Sequence, residues 1–134
     1  MPRYTNMCAL RWSDMDANGH MNNAVYATYL EETRFRMFSQ IVPDDPAERL
    51  SSNFVVSEQT IKFARPLVYR EEPVTVEAWI TDMKGASFTI CCEIKDGEEI
   101  YVSARTLMVG YDSAAKRPRR LSEYERSIIT SFTG

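Results

Sequence analysis

Between Arg11 and Tyr26 the chain gathers the side chains best suited to chemistry. The run reads Arg11-Trp12-Ser13-Asp14-Met15-Asp16-Ala17-Asn18-Gly19-His20-Met21-Asn22-Asn23-Ala24-Val25-Tyr26. Its position matters as much as its content, because it lies between an alternating, strand-like stretch and the start of a helical pattern. The first residues of a helix carry backbone N–H groups without partners and the positive end of the helix dipole. Such a place can hold a carbonyl oxygen that is becoming an oxyanion. A carboxylate just upstream can act as base or nucleophile. Asp16, with the backbone N–H groups near Asn22 and Asn23, supplies both requirements of acyl transfer.

Other chemistries fit these residues less well. Asp14-x-Asp16-x-Asn18-Gly19 matches the opening of a calcium-binding EF-hand loop, but the twelfth position is Val25 where a bidentate Glu is required. The segment before it also reads as a strand. Asp14, Asp16 and Asn18 are residues that form turns and caps in any protein. His20 is the one histidine. With no Cys or His close by, it makes no zinc site, and no metal is expected. Gly85-Ala86-Ser87-Phe88-Thr89 lacks the second glycine of a nucleophile elbow. Ser113-Ala114-Ala115-Lys116 matches a serine–lysine pair by spacing alone. No phosphate-cradling glycine loop or dinucleotide fingerprint is present, and no cofactor is implied.

The elements that must position Asp16 are legible from periodicity. Tyr4 to Trp12 alternates as a first strand. From about Asn23 to Val42 the stripe Tyr26, Tyr29, Leu30, Thr33, Met37 and Ile41 predicts a helix ended by Pro43 and Pro46. Phe35 and Phe38 fall outside that stripe, so the helix is apolar on more than one side. Phe54 to Phe63 reads as a second strand, stopped by Arg65-Pro66. Three further strands carry Val74, Val76, Ala78 and Ile80, then Phe88, Ile90, Cys92 and Ile94, then Ile100, Val102, Ala104 and Met108 on one face. Lys84-Gly85 and Asp96-Gly97-Glu98 join them as hairpins. The basic segment Asp112 to Arg120 reads as irregular. Ser122 to Ile129 predicts a short helix with a Ser122–Glu125 capping box. One helix against one half-buried antiparallel sheet is a two-layer α+β arrangement, in a single domain covering residues 1–134.

Bulk composition narrows the function classes. The 134 residues are 44% hydrophobic and 26% charged, which suits an ordinary globular core. The net charge of -3 speaks against a nucleic-acid-coating protein. The three cysteines, Cys8, Cys91 and Cys92, form no disulfide framework, and on a strand the adjacent pair points to opposite faces. No apolar run approaches the roughly 20 residues of a membrane span, and the N-terminus has no apolar signal region. A cytoplasmic protein with no membrane partner is expected.

The run Asp14-x-Asp16-Ala17-x-Gly19-His20-x-Asn22-Asn23-Ala24-x-Tyr26, followed by Tyr29-Leu30-Glu31, closely resembles the 4-hydroxybenzoyl-CoA thioesterase-like branch of the hotdog superfamily. Phe63-x-Arg65-Pro66-Leu67 resembles that family's stretch after the second strand. The resemblance implies an antiparallel sheet wrapped around one long central helix, sheets joined edge to edge in a homodimer or homotetramer, and active sites at the dimer interface. It implies an acyl-CoA thioesterase in which Asp16 is the catalytic aspartate and the Asn23 N–H faces the thioester carbonyl. Some relatives carry a histidine side chain where Asn23 stands. His20 and Asn22 belong to the same motif and are expected at the substrate. Coenzyme A brings phosphates, for which Lys84 and the cluster Lys116, Arg117, Arg119 and Arg120 are the candidate cations, Lys84 and Arg119 first among them. Glu31 and Glu32, on the helix, occupy the place that other hotdog branches use for their carboxylate, but both lie on the polar side. Two alternatives differ in class or donor: a non-catalytic acyl-CoA-binding protein, and a thioesterase acting on acyl carrier protein.

Overall fold

The computed structural model describes residues 3–39 and 53–133. Among the described residues there are six strands: β1 (Tyr4–Cys8), β2 (Asn53–Phe63), β3 (Val74–Thr81), β4 (Ser87–Asp96), β5 (Glu99–Asp112) and the two-residue β6 (Arg117–Pro118). Two α-helices accompany them among the described residues, α1 (Tyr26–Met37) and α2 (Glu123–Thr130). The strands form one antiparallel sheet in the order β1-β3-β4-β5-β2, with β6 paired to β5.

The core follows from the alternation. Val74, Val76, Ala78 and Ile80 of β3, and Phe88, Ile90, Cys92 and Ile94 of β4, are all buried on the face that meets α1. Each large side chain there contributes about 1.5–3 kcal/mol over an exposed position. Tyr26, Tyr29, Leu30, Thr33 and Met37 line the buried side of α1 as the stripe requires. Phe38 joins them, its ring 5.5 Å from Phe88 and 6.0 Å from Phe54. Phe35 stays 66% exposed. Cys92 faces the core and Cys91 the opposite side of the sheet, and all three thiols are free.

Strand β2 contains an irregularity that periodicity does not reveal. Strict alternation would put Phe54 and Phe63, nine positions apart, on opposite faces. A register shift between Val56 and Glu58 inserts one residue and restores both to the helix side. Phe63 packs at 5.4 Å on Tyr26, and Phe54 packs on Phe38.

Three expected boundaries are corrected. The first strand ends at Cys8, and Trp12 belongs to a 3-10 turn, Trp12–Asp14, that leads into the chemical segment. The helix begins at Tyr26, not Asn23, because Asn22 to Val25 form a turn of their own. Its expected end at Pro43 lies outside the described residues. The basic tail is not wholly irregular, since Arg117–Pro118 pairs with Tyr111 and Asp112. The last helix carries its capping box: the Glu125 N–H donates to Ser122 Oγ, and the Ser122 N–H donates to the Glu125 carboxylate.

Candidate active site

Asp16 opens a tight hairpin. The Gly19 N–H donates to the Asp16 carbonyl, and the Asp16 N–H donates to the His20 carbonyl, both at 3.0 Å. Met15 and Met21 bridge beneath them. This is a turn closed by a left-handed residue, and Gly19 occupies that position at φ +83°. The Asn18 N–H donates to Asp16 Oδ1 at 2.9 Å, which fixes the side chain over its own turn and leaves Oδ2 available. Asp16 is half-buried.

Asp14 holds the hairpin in place. Its carboxylate is 8% exposed and accepts the Tyr29 hydroxyl at 2.7 Å on Oδ2. Its Oδ1 pairs with the Arg11 guanidinium at 3.2 Å. The Asp14 carbonyl accepts the Asn22 N–H, and the Tyr29 hydroxyl in turn accepts the Arg11 N–H. Burial, and then the bond to Asp14, push the Tyr29 hydroxyl up to about 12. Sequence reasoning named Asp14 as part of the motif but missed this pairing; the signal was the motif's second tyrosine, one helical turn after Tyr26.

On the far side the hairpin is tied to the stretch after β2. The Met21 N–H donates to the Leu67 carbonyl, and the Leu67 N–H donates to the Tyr26 hydroxyl. The Ala64 and Arg65 N–H groups both reach the Tyr101 carbonyl. A cavity of about 200 Å³ opens here, lined by His20, Asn23, Tyr26, Phe63, Ala64, Arg65 and Pro66. Burial is the main cause that pushes the Tyr26 hydroxyl up; the bond from the Leu67 N–H works against it, and the Asp16 charge adds to the rise.

Asn23 lies in the turn before α1. The Ala24 and Val25 N–H groups are taken by Asn22, on its side-chain and main-chain carbonyls respectively. The Asn23 N–H has no acceptor among the described residues, and Asn23 itself is exposed at the cavity. Asn22 has its carbonyl oxygens engaged in closing the turn. The His20 ring reaches the cavity wall and forms no hydrogen bond among the described residues. Asp16, His20, Asn22 and Asn23 are therefore brought together.

Lys84 and Arg119 are not. Lys84 sits in the β3–β4 hairpin, where its N–H donates to the Ser87 carbonyl, and Ser87 pairs with Val109. Arg119 follows β6, with its N–H on the Gly110 carbonyl. The cavity lies beside Tyr101, eight residues away along β5, or roughly 25 Å of strand. Arg119 is moreover engaged: it grips Glu125 with two bonds of 2.7 and 2.9 Å and donates to the Asn53 and Tyr111 carbonyls. Within one chain it clamps β2, β5 and α2 together. A cation that does reach the cavity is Arg65, which the sequence placed as a strand stop and in the Phe63–Leu67 stretch but not at the substrate. Its sole ion pair among the described residues is a 3.5 Å contact with the exposed Glu99.

Comparisons with known proteins agree with this fold. Among curated proteins no sequence matches this one. Solved structures match across nearly the full chain. One described as a predicted thioesterase from Bacillus stearothermophilus aligns with a TM-score of 0.90 at 22% identity, covering 99% of this chain and 98% of its own. A thioesterase from Thermus thermophilus, solved with coenzyme A and Zn, aligns with a TM-score of 0.80 at 26% identity, covering 96% and 92%. A hypothetical protein from Staphylococcus aureus, solved in complex with CoA, aligns at 0.87 with 16% identity, covering 98% and 84%. The arrangement is the hotdog fold. Residues 10–126 match the family model of the thioesterase-like superfamily, and the chain belongs to that family.

Proposed function

We propose that the protein hydrolyses acyl-CoA thioesters at the Asp16 hairpin. One observation carries the reading: the Asn23 backbone N–H, without an acceptor among the described residues, borders the small cavity that His20 also lines, and the half-buried Asp16 is bonded through its own N–H to the His20 carbonyl in the same hairpin. The thioester carbonyl docks on the Asn23 N–H, which steadies the negative charge that grows on oxygen. Asp16 takes a proton from water as the water oxygen bonds to the carbonyl carbon, or its own oxygen makes that bond and water then cleaves the anhydride. In either course the C–S bond breaks, and the electron pair leaves with the coenzyme A thiolate. A thiolate needs less acid assistance than an amine, which suits a site with one carboxylate.

The coenzyme A found with two structural relatives supports that donor. Self-association as a homodimer or homotetramer fits the same reading. Strand β2 is the terminal strand of the sheet, eleven residues long, with Val56 and Phe63 about half exposed. An edge of that length and character is suited to pairing with another strand.

The test is thiol release from acyl-CoAs, short aliphatic through palmitoyl to benzoyl and phenylacetyl, with Asp16→Ala in parallel. Turnover should fall by about 10²–10⁴ in the variant. Undiminished turnover by folded Asp16→Ala would remove Asp16 from the mechanism. Hydrolysis of acyl carrier protein substrates alone would change the donor, and ligand binding without any turnover would leave a binding protein.

A further inference from the structure

Arg34 is a buried cation with no ion pair among the described residues. It lies in the last turn of α1 and is 8% exposed. Its Nη1 is fully buried and meets no hydrogen-bond partner among the described residues. The groups whose charge it feels are Cys92 and Glu31. Glu31, one turn earlier on the helix, is exposed to solvent, and burial pushes the Cys92 thiol up to about 12, so Cys92 is neutral at physiological pH. A guanidinium does not lose its proton to escape this position. An unpaired charge in a protein interior costs several kcal/mol, and buried charges are ordinarily paired.

The surroundings have the character of a binding site. On the sheet face that meets α1, Cys92 has Ala78 and Ala104 as its strand neighbours, a row of small side chains. In the adjoining row, Gln59 donates to the buried Thr106 hydroxyl at 3.2 Å. Polar groups thus interrupt an otherwise apolar layer. The stripe Tyr26, Leu30, Arg34, Phe38 tells where Arg34 points. Tyr26 packs on Phe63 at one end of β2, and Phe38 packs on Phe54 at the other. Arg34 lies between them, over the middle of β2, where Gln59 and Ile61 are only half covered. Eight residues of helix, about 12 Å, separate it from Tyr26 at the catalytic cavity.

We propose that Arg34 is the far anchor of the acyl group: the seam between α1 and β2 takes an acyl chain bearing a carboxylate at its distal end, and Arg34 Nη1 is the donor that meets it. This rests on the thioesterase reading above and names the substrate class for that site. A site built to bond a substrate group rejects the analogue that lacks it, because its own buried donor is then left bare.

The experiment compares succinyl-, adipyl- and suberyl-CoA with butyryl-, hexanoyl- and octanoyl-CoA, using wild type, Arg34→Met and Arg34→Lys. Melting curves with free adipate and suberate run alongside and require no turnover. The expected result is a kcat/KM preference of at least about tenfold for one carboxylated chain over its plain counterpart. Arg34→Met should lose that preference while hydrolysing plain chains at least as well, and Arg34→Lys should keep part of it. The dicarboxylate should raise the melting temperature of wild type and not of Arg34→Met. Equal rates on both series, or an equal loss on both in Arg34→Met, would overturn the proposal. So would an Arg34→Met protein that melts well below wild type without ligand, since that would show Arg34 already paired within the fold. Failure to hydrolyse any thioester, with Arg34-dependent stabilisation by dicarboxylate intact, would sink the thioesterase reading and leave the anion site standing; loss of both would sink both.

Discussion

Replacing Tyr29 by Phe removes one oxygen and tests whether Asp14 is the strut of the Asp16 hairpin. The Tyr29 hydroxyl donates to Asp14 Oδ2 at 2.7 Å and accepts the Arg11 N–H at 3.3 Å. Asp14 is 8% exposed, so water replaces the lost donor poorly. A hydrogen bond to a charged group contributes about 1.5–3 kcal/mol, and most of that should appear as lost stability. For a domain of this size that is a fall in melting temperature on the order of 5–10 °C. The pH dependence is more diagnostic. The Tyr29 hydroxyl, pushed up to about 12 by burial and Asp14, holds its proton more tightly folded than unfolded, where it titrates near 10. Its contribution is therefore complete below about pH 10 and is lost as pH rises to about 12. Denaturant midpoints measured from pH 7 to pH 12 should decline for wild type across that alkaline window, with a shallower decline for Tyr29→Phe. Turnover should also drop in the variant although Asp16 is untouched. Equal midpoints at pH 7 and parallel alkaline slopes would refute the assignment of Asp14 and Tyr29 as the support of the site.

Two further outcomes are expected. Arg119→Ala strands Glu125, which is 4% exposed, and should destabilise the fold by about 3–5 kcal/mol while leaving KM for acyl-CoA unchanged at temperatures where the variant is folded; a raised KM in a protein of unaltered stability would return Arg119 to the substrate. Light scattering at micromolar concentration should give a mass of at least two chains, and a monomer under those conditions would remove the β2 edge as an interface.

What the sequence determined is what is local. Alternation in Val74 to Met108 set the strands and their buried face, because side chains on a strand take turns by geometry alone. The Asp16-to-Asn23 segment displayed its turn chemistry, since Gly19 and Asn18 are what such a hairpin requires. Ser122 and Glu125 announced their cap. Tertiary structure decided the rest. Asn22 turned back on Ala24 and Val25, so α1 starts at Tyr26 and the free N–H of Asn23 belongs to a turn. Arg119 and Lys84 looked available for phosphate, yet the path of β5 carried both to the opposite end of the sheet, and Glu125 engaged Arg119. A bulge in β2 brought Phe54 and Phe63 to one face against the count of residues. Arg65 reached the cavity through bonds to a strand thirty-six positions later, at Tyr101. Ala78, Cys92 and Ala104 stand side by side on three strands, and no local pattern in a chain records which strands will meet.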